Sequence, residues 1–158
     1  MGNVVLFTKN GGKRMENILE VAKYFLSVEP MSHKKLQKLC YYAQAWYLAI
    51  YKRRLMDVDF EAWVHGPVSA LLYNQYRDWG GLVITGLQSI PQLEESTVSF
   101  LNKIYHLYGK FSAAELEKMT HDESPWKEAR GKLAKDVPCK NKISDVSMQK
   151  FYGELIGV

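Results

Sequence analysis

A chain of 158 residues, 47% of them hydrophobic and 24% charged, has the length of one typical domain and can build a core without disulfide or metal staples. Its 21 basic and 17 acidic residues give a formal net charge of +4, which is low for a dedicated nucleic-acid-binding protein. Cys40 and Cys139 are too few for a disulfide scaffold, so both are predicted to be free thiols of a soluble cytoplasmic protein. No apolar run approaches the roughly 18 residues that a membrane span needs.

The N-terminal part is predicted to lie outside the main domain. Asn10-Gly11-Gly12 is a turn signal, and a regular apolar pattern begins only at Met15. We therefore predict an N-terminal extension at residues 1–14 and one domain at residues 15–158. A short edge strand at residues 4–7 is the alternative.

Two helices are predicted next. The first spans about Met15 to Ser27, where apolar residues recur every three or four positions, and Glu29-Pro30 ends it. The second starts after Ser32, a favourable N-cap residue, and reaches about Tyr51. Apolar side chains cover most of its circumference, which predicts a central helix buried on several sides.

Short extended segments and a third helix follow. The loose alternation from Phe60 to Val64 predicts an extended segment or short strand. Gly66-Pro67 is predicted to open a helix that runs to about Arg77, with Pro67 at the first helical position. Val83-Ile84 is predicted to form a second strand that pairs with residues 60–64.

Four further helices complete the predicted fold. They are a helix from Ser96 to Tyr108, one capped by Ser112 that reaches Met119, one capped by Ser124 with Pro125 at its first position, and one from Ser144 to Ile156. Residues 132–142 are expected to form a solvated loop. The predicted fold class is mainly α: a single compact domain of about six to seven helices around a central aromatic-rich helix, with room for one small two-stranded β element.

Aromatic residues around the Gly-Pro turn are the candidate partner-binding site. Tyr and Trp bring large contact areas and a polar tip to protein interfaces. The predicted binding residues are Trp63, His65, Gly66, Pro67, Tyr73 and Tyr76. A core role for these aromatics and a loop-tying role for His65 stay open as alternatives. Trp46 and Trp126 are predicted to be core residues.

No catalytic residue, metal site or cofactor is predicted. His121-Asp122-Glu123 is a tight cluster that could serve as a metal site or an acid/base pair, but adjacent residues on a turn rarely face one ion. A helix end that leads into the next cap is the favoured interpretation. Asp57, Asp59 and Glu61 alternate as on the solvent face of an edge strand.

Three blocks of this sequence, in this order, carry a resemblance to a known family. The first block contains Leu36-Gln37-Lys38-Leu39, Tyr42-Ala43-Gln44 and Trp46-Tyr47-Leu48. The second contains Glu61-Ala62-Trp63, Gly66-Pro67-Val68 and Leu72-Tyr73, and the third is His121-Asp122-Glu123-Ser124-Pro125-Trp126. Together they resemble the Panacea domain family of SocA-like antitoxins. The resemblance covers roughly Ile18 to Leu155 and leaves out residues 1–14.

The resemblance implies a mostly helical antitoxin that is often carried on prophages or mobile elements. Its expected partner is a cognate protein toxin, neutralised by direct binding. SocA-type members also deliver the bound toxin to a AAA+ protease, and the sequence does not distinguish these two modes.

Two alternatives remain at this stage. A nucleic-acid-binding regulator would use the basic residues Lys34, Lys35, Lys38, Lys52, Arg53 and Arg54. A small metal-dependent hydrolase would use His65, His121 or Asp122, but the residues do not assemble into a set of catalytic roles.

Overall fold

The computed structural model describes residue 7 and residues 11–157, and it confirms a mainly α fold. Seven helices lie in this part of the chain: α1 Ile18–Val28, α2 His33–Tyr51, α3 Ala70–Tyr76, α4 Glu95–Tyr108, α5 Ala113–Asp122, α6 Ser124–Arg130 and α7 Asp145–Ile156. Four short strands accompany them: β1 Met31–Ser32, β2 Glu61–Trp63, β3 Gly66–Val68 and β4 Val83–Ile84. A 3₁₀ turn at Arg77–Trp79 extends α3.

The central position predicted for α2 is confirmed. Every residue from Leu36 to Ala49 is buried, and α1, α4, α5 and α7 all pack against this helix. Ser32 caps its start, because the hydroxyl accepts a hydrogen bond from the Lys35 N–H. At the other end the chain turns at Lys52, which adopts a left-handed conformation with φ of 60°. The core therefore surrounds α2.

The strands form two antiparallel pairs rather than one. In the first pair Met31 faces Ile84, so β4 pairs with β1 and the predicted pairing with residues 60–64 is wrong. In the second pair Ala62 of β2 faces Pro67 of β3. Apolar alternation marks a strand but carries no information about its partner, which depends on how the helices between them pack.

The prediction that Gly66-Pro67 opens a helix is also wrong. Gly66 and Pro67 belong to β3, and α3 begins later, with Ser69 as its N-cap. Gly66 has a φ of 105°, which suits a turn between strands and is outside the helical range. Pro67 occupies a strand here because its fixed φ fits an extended segment as well as a first helical turn.

The remaining helix boundaries agree closely with the sequence. Ser112 and Glu115 form the predicted capping box, and Ser144 caps α7. Helix α1 begins at Ile18, with Asn17 as its N-cap, rather than near Met15. Two corrections apply to α5 and α6: α5 continues to Asp122 rather than Met119, and α6 begins at Ser124 itself, which follows Glu123 as N-cap. Both differences are local, because the two helices meet without a loop between them.

Residues before α1 contact the domain. The Gly12 N–H donates to the Tyr47 hydroxyl at 2.8 Å, and the Arg14 N–H donates to Glu94 at 2.9 Å. Phe7 is buried against Phe100, with ring centroids 5.1 Å apart. The predicted domain boundary at residue 15 stays a prediction, and the alternative strand at residues 4–7 falls mostly outside the described residues.

Within the described part of the chain, no helix is both long enough and apolar enough to cross a membrane. Cys40 and Cys139 are both buried and neither forms a disulfide.

Candidate protein-binding surface

A β-hairpin made of β2, β3 and the turn between them, residues 61–68, carries the candidate surface. Gln37 on α2 holds the residue that follows this hairpin. The Gln37 side chain donates to the Ser69 carbonyl and accepts from the Ser69 N–H, both at 2.9 Å. Lys38, one residue further on, donates its ammonium to the Pro67 carbonyl at 3.2 Å. Polar residues of the central helix therefore hold the hairpin against the core.

Lys38 is an unusual member of this support. Its side chain is only 1% exposed, and no carboxylate of the described residues lies within ion-pair distance of it. Burial, reinforced by the nearby Lys34, lowers the pKa of Lys38 from 10.5 to about 7. Gly66 gives it room, because a Cβ at Gly66 would lie 2.5 Å from the Lys38 Cε.

Helix α6 supports the hairpin from its other side. The Trp126 indole N–H donates to the Trp63 carbonyl at 2.8 Å, and Arg130 donates to the Ala62 carbonyl at 2.9 Å. His121 stacks on Trp126 with ring centroids 4.0 Å apart, and burial lowers its pKa. Trp126 is buried as predicted, so its role toward the hairpin is structural.

Three of the six predicted binding residues present their side chains at the surface. Trp63 and Tyr73 are half-buried and meet edge to face, with centroids 5.0 Å apart. The His65 side chain is 71% exposed and points one ring nitrogen toward Glu117 at 3.4 Å. These three side chains form a mixed aromatic and polar patch at the tip of the hairpin.

The other three predicted residues are buried. Gly66 and Pro67 are buried in β3 of the hairpin, and Tyr76, the last residue of α3, packs into the core. The burial of Gly66 and Pro67 follows from the strand that replaces the predicted helix start, because β3 lies against α2. Their contribution to a binding surface would be to hold Trp63, His65 and Tyr73 in place.

An apolar depression of about 200 Å³ adjoins the patch. The hairpin supplies one wall, through Trp63, Val64, His65 and Val68. The opposite wall consists of Pro138, Cys139 and Lys140, from the loop at residues 131–142. The sequence did not indicate this wall, because a lysine-rich loop carries no signal of the place where it packs; only Pro138-Cys139 interrupts its polar character.

A buried polar cluster lies behind α6. Glu123 accepts hydrogen bonds from the hydroxyls of Tyr42 at 2.8 Å and Tyr152 at 2.7 Å, and Tyr152 accepts one from Tyr41. Burial raises the pKa of Glu123, although the two hydroxyls favour its charged form. Glu123 therefore joins the start of α6 to α2 and α7.

The residues considered for other functions are engaged elsewhere. Asp122 is exposed and pairs with Lys118, and no group of three candidate metal ligands occurs among the described residues. Most of the six basic residues that a nucleic-acid site would use already have partners: Lys34 pairs with Glu117, Lys35 with Glu29, Arg54 with Asp59 and Asp145, and Arg53 contacts Gly12. Asp59 is thus part of an ion-pair network rather than a free acidic edge.

A comparison with known protein families identifies the family of this chain. The family model for "Antitoxin SocA-like, Panacea domain" matches residues 36–127, more than half of the sequence. The chain belongs to the Panacea family.

A curated relative gives the same family for this Panacea domain. Antitoxin SocA of Caulobacter vibrioides (strain NA1000 / CB15N) is 28% identical over 110 residues, which cover 61% of this chain and 58% of that protein. The match thus spans little more than half of the relative's length. No solved structure matches the chain.

The three Panacea blocks meet in space. The first block is α2, the second is the hairpin and the start of α3, and the third is the α5–α6 junction. Gln44 of the first block adds a clamp on the loop after α2, because it bonds the backbone of Leu55 and Met56 through three hydrogen bonds. The residues that carry the family resemblance therefore belong to the framework that supports the hairpin more than to an exposed site.

Proposed function

We propose that this Panacea domain is the antitoxin of a toxin–antitoxin system and that it neutralises a cognate protein toxin by direct, non-enzymatic binding. Membership of the SocA-like family supports the antitoxin role. Delivery of the captured toxin to a AAA+ protease and carriage on a prophage or mobile element are parts of the same proposal that rest on the family alone. Direct binding is the step that both modes of neutralisation share. The proposed location is the cytoplasm.

The observation that carries the proposal is the rigidly supported aromatic patch beside an apolar depression. Trp63, Tyr73 and His65 lie at its edge, and Gln37, Lys38 and Trp126 fix the backbone beneath them. Interface hot spots favour such side chains, because a preordered aromatic loses little entropy on binding. A stable complex would bury about 1,200–2,000 Å² in total, so the patch would form the centre of a larger contact.

Co-expression with the product of the adjacent gene, followed by affinity capture and size-exclusion chromatography, tests the proposal. We expect a stoichiometric complex that Trp63→Ala weakens by at least roughly 30-fold in Kd, the equivalent of about 2 kcal/mol for a central aromatic. Phe151→Ala is the matched control, because it truncates a partly buried aromatic on α7, outside the patch.

Circular dichroism of both variants must first show a folded protein. A complex that forms equally well with folded Trp63→Ala would remove the patch from the interface. If the parent chain and the adjacent gene product are both folded and form no complex, the direct-binding proposal fails.

A further inference from the structure

The charge of this protein is concentrated in one segment. Residues 127–142 contain six basic and two acidic residues, whereas the rest of the chain contains fifteen of each. The whole formal net charge of +4 therefore lies between the middle of α6 and the end of the following loop. This segment also lines a second depression, which shares no lining residue with the apolar one.

This basic depression has a volume of about 310 Å³. Its exposed positive charges are Lys127, from α6, and Lys135, from the loop. For neither lysine does the described part of the chain provide a carboxylate within ion-pair distance. Asp122 is the acidic residue in the lining, and Lys118 already pairs with it.

Arg130 also lines the depression, yet it is only 3% exposed. Its guanidinium donates to backbone carbonyls, those of Ala62, Ala134 and Val137 among them, and no carboxylate of the described residues neutralises it. Its Nε is buried without a hydrogen-bond partner in the described structure. A buried cation without a counter-ion is costly, and an anion in the depression above it would reduce that cost.

The 131–142 loop contributes a wall to each of the two depressions. Gly131, Leu133 and Lys135 face the basic depression, and Pro138, Cys139 and Lys140 face the apolar one. Arg130 holds this loop in place through the carbonyls it binds. A partner that seats an apolar group beside Trp63 would therefore bring its neighbouring residues over the basic depression.

We propose that the basic depression binds the carboxylate groups of an acidic segment in the protein partner, adjacent to the apolar contact. This inference rests on the proposed function and specifies the chemistry of the partner. A carboxylate fits better than a nucleic-acid backbone, because a phosphate backbone needs an extended basic track. Here the depression gathers three basic side chains, Lys127, Arg130 and Lys135, in one concavity that Asp122 borders.

The test is a titration of the ¹⁵N-labelled full chain with acetylated hexaglutamate at low salt, followed by NMR. We expect saturable shifts of the Arg130 Nε–H and Trp126 indole N–H signals, because both residues line the depression. The double variant Lys127→Gln/Lys135→Gln should weaken the affinity roughly tenfold and flatten its salt dependence. Both lysines are exposed, so the variant should fold.

The control is Lys52→Gln/Lys150→Gln, which removes two exposed positive charges outside the depression. The inference is overturned if hexaglutamate produces no saturable shift, or if its affinity falls equally in both double variants. The inference is also overturned if decathymidylate binds more tightly than hexaglutamate at the same salt and this binding is lost in Lys127→Gln/Lys135→Gln. That result would assign the depression to phosphates.

The same variants separate this inference from the proposed function. A toxin complex that forms with the parent and is equally tight with Lys127→Gln/Lys135→Gln contradicts the acidic-segment contact while leaving the antitoxin role intact. A parent chain that binds hexaglutamate at Arg130 and Trp126 but captures no toxin contradicts the antitoxin role.

Discussion

Replacing the buried Lys38 by methionine should change how the stability of this protein depends on pH. Methionine fills a similar volume and removes the amino group. Burial lowers the pKa of Lys38 to about 7, whereas an unfolded chain keeps it near 10.5. Between these two values the unfolded state holds a proton that the folded state lacks. The lysine therefore makes the free energy of unfolding rise with pH across that window and contributes its full penalty below it.

The expected magnitude follows from that shift. One proton of difference changes the free energy of unfolding by roughly 1.4 kcal/mol per pH unit, and near pH 7 the difference is only about half a proton. Between pH 7 and 9.5 the advantage of Lys38→Met over the parent should thus shrink by about 3 kcal/mol. The variant also loses the hydrogen bond to the Pro67 carbonyl, which costs about 1 kcal/mol at every pH. Lys38→Met should be the more stable protein at pH 6.5 and lose most of that advantage by pH 9.5.

Urea unfolding monitored by tryptophan fluorescence, at half-unit steps from pH 6.5 to 9.5, measures this difference. Groups that titrate in both proteins cancel when the variant is compared with the parent. Lys150→Met is the matched control, because Lys150 is exposed, and its difference from the parent should stay flat. A flat difference for Lys38→Met would refute the reasoning, since it would mean that the folded protein carries Lys38 in its charged form throughout.

Two further predictions concern the same framework. Gly66→Ala should destabilise the protein by about 2–4 kcal/mol in urea unfolding, because φ is 105° and the added Cβ would meet the Lys38 Cε. The control is Gly86→Ala, which is also at positive φ but has open space around it and should cost less. Equal losses of stability in the two variants would show that Lys38 does not limit the site. Gln44→Ala should cost about 2–4 kcal/mol, because three hydrogen bonds to Leu55 and Met56 are lost inside the core. The exposed Gln75→Ala is its control on α3, and a Gln44→Ala protein as stable as this control would show that the loop after α2 does not need the clamp.

Local signals in the sequence predicted most of the helices. The caps at Ser32, Ser112 and Ser144 were correct, because a hydroxyl bonds an amide only three residues away. The central position of α2 also followed from its own residues, since an apolar surface on all sides must be covered. These predictions needed no knowledge of the tertiary structure.

The errors arose where the chain folds back on itself. Pro67 suits a strand or a helix start equally well, and tertiary contacts decide between them: the pairing of β3 with β2 and the hydrogen bond from Lys38 to the Pro67 carbonyl. The partner of β4 depends on the packing of α2 and α3 between the paired strands. The walls of both depressions were missed for the same reason, because Arg130 determines the course of the 131–142 loop from below.

Because α7 packs against α2, the order of synthesis leaves part of the nascent chain without its packing partner for a time. Met148, Tyr152 and Ile156 are buried in the core, yet a ribosome adds them about a hundred residues after the central helix that they cover. Until they emerge, one side of the central helix has nothing to cover it, and the nascent chain exposes apolar surface. A transcript cut short before the codon for Asp145 would therefore yield a product that proteases and chaperones recognise as incomplete, rather than a smaller working domain.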